Sequence, residues 1–328
     1  MKRLHVFLLF FLVALVVLTL GFPHQEEQWF ESFFPAVGKE KFQYILLTEF
    51  RIPRLVIALV AGASLSVCGL LLQTLLNNPL AGPSILGLTS GAHLFVALTI
   101  LAAGYLSGTL LDLSITVASA AGSLLFGLII LLMASRVKSQ VSLLLVGMML
   151  GTFVSAVTGI LLSKSDPNAL KAFTLWSFGS LQQVNLSQLP VVLAISLLGI
   201  AATFFLVKPL NGLVLGERQA TVLGVHLRRS QWQILTVVSV LTGLVTAFCG
   251  PIAFVGLIVP NIVKIFYKTA NHRVLLVGTI IIGAGFMLLC DLLIVVLEPY
   301  IVLPINSLTS LIGAPVAVAL LLKKMRHA

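Results

Sequence analysis

No charged side chain lies between Arg54 and Asp112, and His93 is the one residue in that stretch that titrates near neutral pH. Drawn out as a single α-helix, the stretch would extend roughly 85 Å at about 1.5 Å per residue. The hydrocarbon core of a bilayer is only about 30 Å thick. Such a chain must cross, turn and return. The turn is written into the residues, because Asn77-Asn78-Pro79 and Gly82-Pro83 interrupt the apolar run with side chains that end helices and favour reversals.

Composition extends the argument to the whole chain. Of its 328 residues, 59% are hydrophobic and 9% charged, where a soluble domain carries about 25% charge. This is the composition of an all-α polytopic membrane protein. The net charge of +10 would suggest nucleic acid in a soluble chain, but here it reflects Lys and Arg gathered on the cytoplasmic side of spanning helices. Cys68, Cys249 and Cys290 sit in apolar runs without metal-ligand spacing and read as small buried hydrophobes. The apolar run after Lys2-Arg3 lacks an A-x-A-like cleavage site downstream, so it is expected to be an uncleaved first helix.

The charge distribution predicts about ten transmembrane helices, with both termini cytoplasmic, over residues 4–22, 53–75, 85–110, 113–134, 140–162, 188–207, 232–249, 251–267, 274–297 and 304–322. Most basic residues then fall inside, among them Arg136, Lys138, Lys208, Arg218, Arg228, Arg229, Lys264, Lys268, Arg273 and Arg326, while Glu26, Glu27, Glu31 and Glu40 fall outside. A short outer-surface helix with an interfacial Trp176 is expected over 168–180. The longest cytoplasmic connection runs over 208–229, where Glu217 to Arg229 is expected to form a short amphipathic helix with Val222, Leu223 and Val225 on one side.

One geometric tension points to function. The uncharged run between Arg229 and Lys264 is shorter than the roughly 40 residues that two full crossings need. It must therefore be short, steeply bent or partly re-entrant, with a break at Cys249-Gly250-Pro251. Paired Gly/Pro-interrupted segments in the two halves of a chain point to a transport pathway. Here they contribute Asn77, Asn78, Pro79 and Gly82 in one half, and Gly250, Pro251 and Pro260 in the other. Gly147, Gly151 and Ser155, at near-helical spacing, read either as close packing or as pathway lining. Asp291, the single acid inside an apolar run, leaves structural pairing and proton coupling both open. His93 reads as a buried, hydrogen-bonded histidine. The only Gly-Lys pair, Gly38-Lys39, lacks the rest of a phosphate-binding loop, and no H-E-x-x-H occurs. Energy for uphill transport is thus expected from a partner, with 208–229 as the place for it to press.

Several stretches, in the right order, carry a resemblance. RIPRLVIALVAGASLSVCGLLLQTLLNNPLAGPSILGLTSGA, GPIAFVGLIVPNIVKIF and CDLLIVVLEPYIVLPINSLTSLIGAPVAVALLLKK resemble the permease subunits of ABC importers for iron chelates, haem and cobalamin. ERQATVLGVHLRR looks like that family's ATPase-coupling segment. The resemblance implies a homodimeric permease in the bacterial cytoplasmic (inner) membrane, with the solute path on the dimer axis. It also implies two cytoplasmic ATP-binding subunits that use ATP and Mg, an extracytoplasmic solute-binding protein, and no cofactor in this subunit. By motif match, Arg51 and Arg54 are the expected docking residues for the binding protein. Glu217, Ala220, Leu223, Gly224, Val225 and Arg228 are the expected ATPase contacts. The chain departs from the family at Val295, where an arginine is common, at Pro260-Asn261 in place of Pro-His, at Lys264 for arginine, and at Pro304-Ile305-Asn306 in place of Pro-Val-Gly. The expected cargo is an iron chelate, most simply a ferric siderophore. Haem and vitamin B12 are the alternatives within the class, and a proton-coupled secondary transporter is the alternative outside it.

Overall fold

A computed structural model of the chain describes residues 2–21, 45–102, 109–134, 136–137 and 139–325. The expected outer acidic segment with Glu26, Glu27, Glu31 and Glu40, the basic Lys138 and Arg326, and residues 103–108 of the expected third helix lie outside the described residues. Among those described, regular structure is helical throughout: α1 (Lys2–Gly21), a π-helical turn (Leu46–Arg51), α2 (Ile52–Leu75), α3 (Leu88–Ala102), α4 (Thr109–Ala134), α5 (Gln140–Ser163) and α6 (Pro167–Ser177). There follow α7 (Leu189–Phe205), α8 (Val207–Leu213), α9 (Glu217–Val222), α10 (Leu227–Cys249), α11 (Val255–Tyr267), α12 (His272–Leu297) and α13 (Ile305–Met325).

Local chemistry sets the ends. Pro53 lies in the first turn of α2, where its missing N–H costs nothing. The helix stops before Asn77, whose φ of 44° is left-handed. Asp166 caps α6 by accepting from Asn168 N and Ala169 N at 2.8 and 3.0 Å, and Asn271 caps α12 by accepting from Arg273 N at 3.0 Å. Gly250, at φ 71°, ends α10, and Pro251 prevents its resumption.

Five helices are long and apolar enough to cross a membrane, or six if α7 and α8, bent by 55°, form one span. Four more apolar helices are shorter. α2 is the axis of the fold. It packs against α12, α11 and α10 and is buried along most of its length. The α2–α11 contact is one of backbones: a Cβ on Gly69 would fall 1.6 Å from the Gly256 carbonyl oxygen. Gly62 and Gly283 bring α2 and α12 together in the same way, and Gly91 and Gly122 do so for α3 and α4. Small residues serve membrane helices well here, since close backbone approach supplies the dispersion contacts that drive their association.

The structure departs from expectation in several places. Residues 250–254 are not helical, and α11 starts only at Val255. Its 13 residues span roughly 20 Å, which resolves the tension noted above: one arm of the pair is short. The connection expected over 208–229 is itself largely helical, with Lys208 in α8. The amphipathic helix expected over 217–229 is split, with α9 ending at Val222 and α10 beginning at Leu227. Trp176 is buried, packed on Phe173 and His93. His93 is largely enclosed there, with its Nδ1 2.8 Å from Thr89 O. All three cysteines are buried thiols.

Candidate functional site

Three regions gather the polar groups of an otherwise apolar bundle. The first is at the N-terminal end of α2. Arg54 Nε donates to both carboxylate oxygens of Asp291 on α12, at 2.8 and 3.1 Å. The exposures of the two side chains are 10% and 1%. Arg51 is buried beside them, its Nη1 donating to Leu20 O at 2.9 Å. The resemblance makes these arginines docking residues for a separate protein; in the fold both are enclosed, and Arg54 is committed to a carboxylate 237 positions away. Pairing is what makes an intramembrane acid tolerable, and it satisfies Asp291 without a proton relay. A cavity of about 240 Å³ borders the pair and is also lined by Phe178, Glu298 and Pro304.

The second region holds the breaks. Asn78 Oδ1 accepts from Leu80 N at 3.0 Å, bracing the turn after α2. Asn261 Nδ2 donates to Pro79 O at 2.8 Å and to Leu257 O at 2.7 Å, so one side chain ties the turn at 77–83 to α11, which, against expectation, runs unbroken through Pro260. Gln73 Nε2 donates to Leu257 O at 3.1 Å, and Lys264 Nζ donates to Gln73 Oε1 at 2.8 Å. At the other break, Ser180 N donates to Cys249 O at 2.8 Å, and Ala253 N donates to Asn306 Oδ1 at 3.1 Å. Non-helical backbone at membrane depth survives only where protein satisfies it, and Asn261 and Asn306 do so. Both occupy positions where the sequence departs from the family pattern. A polar side chain inside an apolar run next to a Gly/Pro break was the available signal.

The small residues of α5 divide between two faces. A Cβ on Gly147 would fall 2.7 Å from Leu86 O, and one on Gly151 would fall 3.1 Å from Ser90 Oγ, so both serve close packing against 86–90. Ser155 is on the exposed side with Thr152 and Phe153, its hydroxyl donating back to Gly151 O at 2.9 Å. Gly82 is buried, with Leu257 in ordinary contact range of a Cβ there.

The third region is α9 with its flanking turns. Ala220 is fully buried, while Val222 and Leu223 are 87% and 57% exposed. Val225, expected on the same side as these two, instead turns inward and packs over Gly212. The reason is Gly224, whose φ of 79° reverses the chain between Leu223 and Val225. Glu217 and Arg228 line one cavity with Leu75, Leu143 and Leu227, while α9 itself packs on α8 and α10. Nearby, Asn211 Oδ1 accepts from His272 N at 2.8 Å and lies 3.0 Å from His272 Nδ1, which therefore carries the proton. His272 Nε2 is 2.8 Å from Thr74 Oγ1. α8, α12 and the end of α2 are thereby joined through one buried imidazole.

A model of the FecCD transport family matches residues 6–323. The chain belongs to that family. Among FecCD relatives, the vitamin B12 import permease BtuC of Vibrio parahaemolyticus is 36% identical over 290 residues, covering 86% of this chain and 84% of that one. The hemin transport permease HmuU of Yersinia pestis is 34% identical over 318 residues, covering 96% and 95%. The Fe(3+) dicitrate permease FecD of Escherichia coli is 34% identical over 280 residues, covering 85% and 86%. An inward-facing metal-chelate type ABC transporter superposes with a TM-score of 0.86 at 29% identity, covering 98% of this chain and all of the other. As a FecCD member, the chain is a multi-pass permease subunit of an ABC importer. Such a permease works with ATP-binding subunits and a solute-binding protein.

Proposed function

We propose that this permease imports an iron chelate, most simply a ferric siderophore, into the cytoplasm, as one half of a homodimer in the inner membrane of a bacterium. The observation that carries the reading is the match to a FecCD model over residues 6–323, together with broken helices at 77–87 and 250–254. Relatives named for hemin and for Fe(3+) dicitrate support an iron-bearing cargo. The one named for vitamin B12 supports cobalamin as the second reading. Five candidate spans, the bent α7–α8 pair and four shorter apolar helices support ten crossings, an even number that puts both termini on one side; the basic residues favour the inside. The weakly buried α5, with Ser155 on its open face, is a suitable wall for a path shared with a second copy. ATP and Mg belong to the partner subunits, which press on α9 through Val222 and Leu223.

We assign docking of the solute-binding protein to Arg51 and Arg54. Because Arg54 already holds Asp291, an incoming carboxylate has to compete with Asp291 for the guanidinium, and docking would thereby loosen the contact between α2 and α12. The deciding experiment compares uptake of labelled ferric siderophores, haem and cobalamin by cells with and without this gene. Loss of siderophore uptake alone supports the proposal. Loss of cobalamin or haem uptake alone replaces the cargo, and unchanged uptake of all three overturns it.

A further inference from the structure

A cavity of about 370 Å³ opens where α2, α11 and α12 end on the side of α9, lined among others by Gln73, Asn77, Lys264, Lys268, Thr269 and His272. Among the described residues, no carboxylate lines it. Lys264 is half-buried, and its hydrogen-bond partner, Gln73 Oε1, is neutral. An ammonium held inside a fold ordinarily has an anion to offset its desolvation. Lys268, also on the cavity, is exposed. Three non-glycine residues among those described have positive φ, and two of them, Asn77 at 44° and Lys268 at 46°, line this cavity. Both stand where α2 and α11 end, in the left-handed conformation that commonly terminates helices. Between the two lysines, Ile265 and Phe266 are 52% and 60% exposed, so the same turn presents apolar surface beside the charge.

We propose that this cavity binds a phosphate group, supplied by the headgroup of an anionic phospholipid whose chains lie along Ile265 and Phe266. Lys264 and Lys268 supply the charge, and Thr269 and Asn77 supply polar groups at the rim. Inorganic phosphate offers the same chemistry without the chains. The site adjoins Val214 and His272, and through Asn211 the loop that leads into α9, so occupancy would brace the segment on which the ATP-binding subunits act. The assignment does not depend on the cargo.

The test is native mass spectrometry of the purified full-length chain in detergent, titrated with phosphatidylglycerol, phosphatidylcholine or inorganic phosphate. Wild type should retain one phosphatidylglycerol per chain in preference to phosphatidylcholine. Replacing both lysines, Lys264→Gln with Lys268→Gln, should weaken that binding roughly thirty-fold, since each cation near a membrane surface contributes about a fivefold factor. Lys208→Gln, which removes a surface cation outside the cavity, should leave it unchanged. Displacement of the lipid by millimolar phosphate, with phosphate binding itself lost in the double variant, would retain the site and reassign its occupant to the free ion. If Lys264→Gln fails to fold, Lys268→Gln alone, at an exposed position, should weaken binding about fivefold. Equal retention by wild type and the lysine variants, or an equal loss in Lys208→Gln, overturns the proposal.

Discussion

Asp291→Asn keeps the shape of the side chain and removes its charge, leaving the Arg54 guanidinium enclosed beside an amide. At 2.8 Å, two unit charges attract by about 6 kcal/mol at an effective dielectric constant near 20. Desolvation offsets much of that gain, so the pair as a whole contributes little. Removing one member is different, because the other is then left buried without compensation, at a cost of about 3–5 kcal/mol. The double substitution Arg54→Met with Asp291→Leu removes both charges at similar volume and should cost less than Asp291→Asn alone. The assay is denaturant unfolding of the purified chain in detergent micelles for wild type, each single variant and the double. A coupling of at least about 2 kcal/mol is expected, since residues in direct contact do not behave additively. A single-variant cost below about 1 kcal/mol, or a double variant equal to the sum of the singles, would refute the reasoning. Asp291→Asn should also strengthen binding-protein docking, because the competing carboxylate is gone, and a merely structural pair would not produce that effect.

Charge reversal of Arg51 and Arg54 together should weaken binding-protein affinity more at low than at high ionic strength, measurable by titration at two salt concentrations; equal affinity at low salt would remove the docking role. Leu223→Ser should leave the fold intact and uncouple ATP hydrolysis from uptake in the assembled importer. Val225→Ala should instead cost about 2 kcal/mol of stability, because its side chain is buried and leaves a cavity. Gly69→Ala should prevent the close approach of α2 and α11 and lower the yield of folded protein, whereas Gly159→Ala, with nothing within 4 Å, should be neutral; gel filtration and thermal unfolding distinguish them. Asn306→Ala strands the amide of Ala253 and should cost about 1–3 kcal/mol, read by thermal unfolding.

The class of fold was legible because two physical rules act locally. Unpaired charge is costly in hydrocarbon, so the spacing of Arg54, Asp112, Arg229 and Lys264 marks where apolar runs begin and end. Proline after glycine or asparagine disfavours helix, so NNPLAGP and CGP mark breaks, whereas the isolated Pro260 and Pro315 stay inside helices. Membership of the importer-permease family was legible from a resemblance of motifs, some of which span those breaks. What was not legible is which side chains meet. A helix that is hydrophobic all round, such as α2, carries no polar face to announce its rotation. Its partners follow instead from where glycines let backbones close up. Gly62 and Gly283 bring α2 to α12, and only in the assembled bundle does Arg54 come to Asp291 and leave the surface. Likewise Gly69 and Gly256 seat α11 so that Asn261 reaches Pro79 O. Val225 turned inward because one left-handed glycine separates it from Leu223. The sequence by itself determined a membrane bundle and the positions of its breaks, since solvation and backbone sterics are local. Tertiary structure alone decided the ion pair, the polar braces and the exposed face of α9, since those depend on the register between helices far apart in the chain.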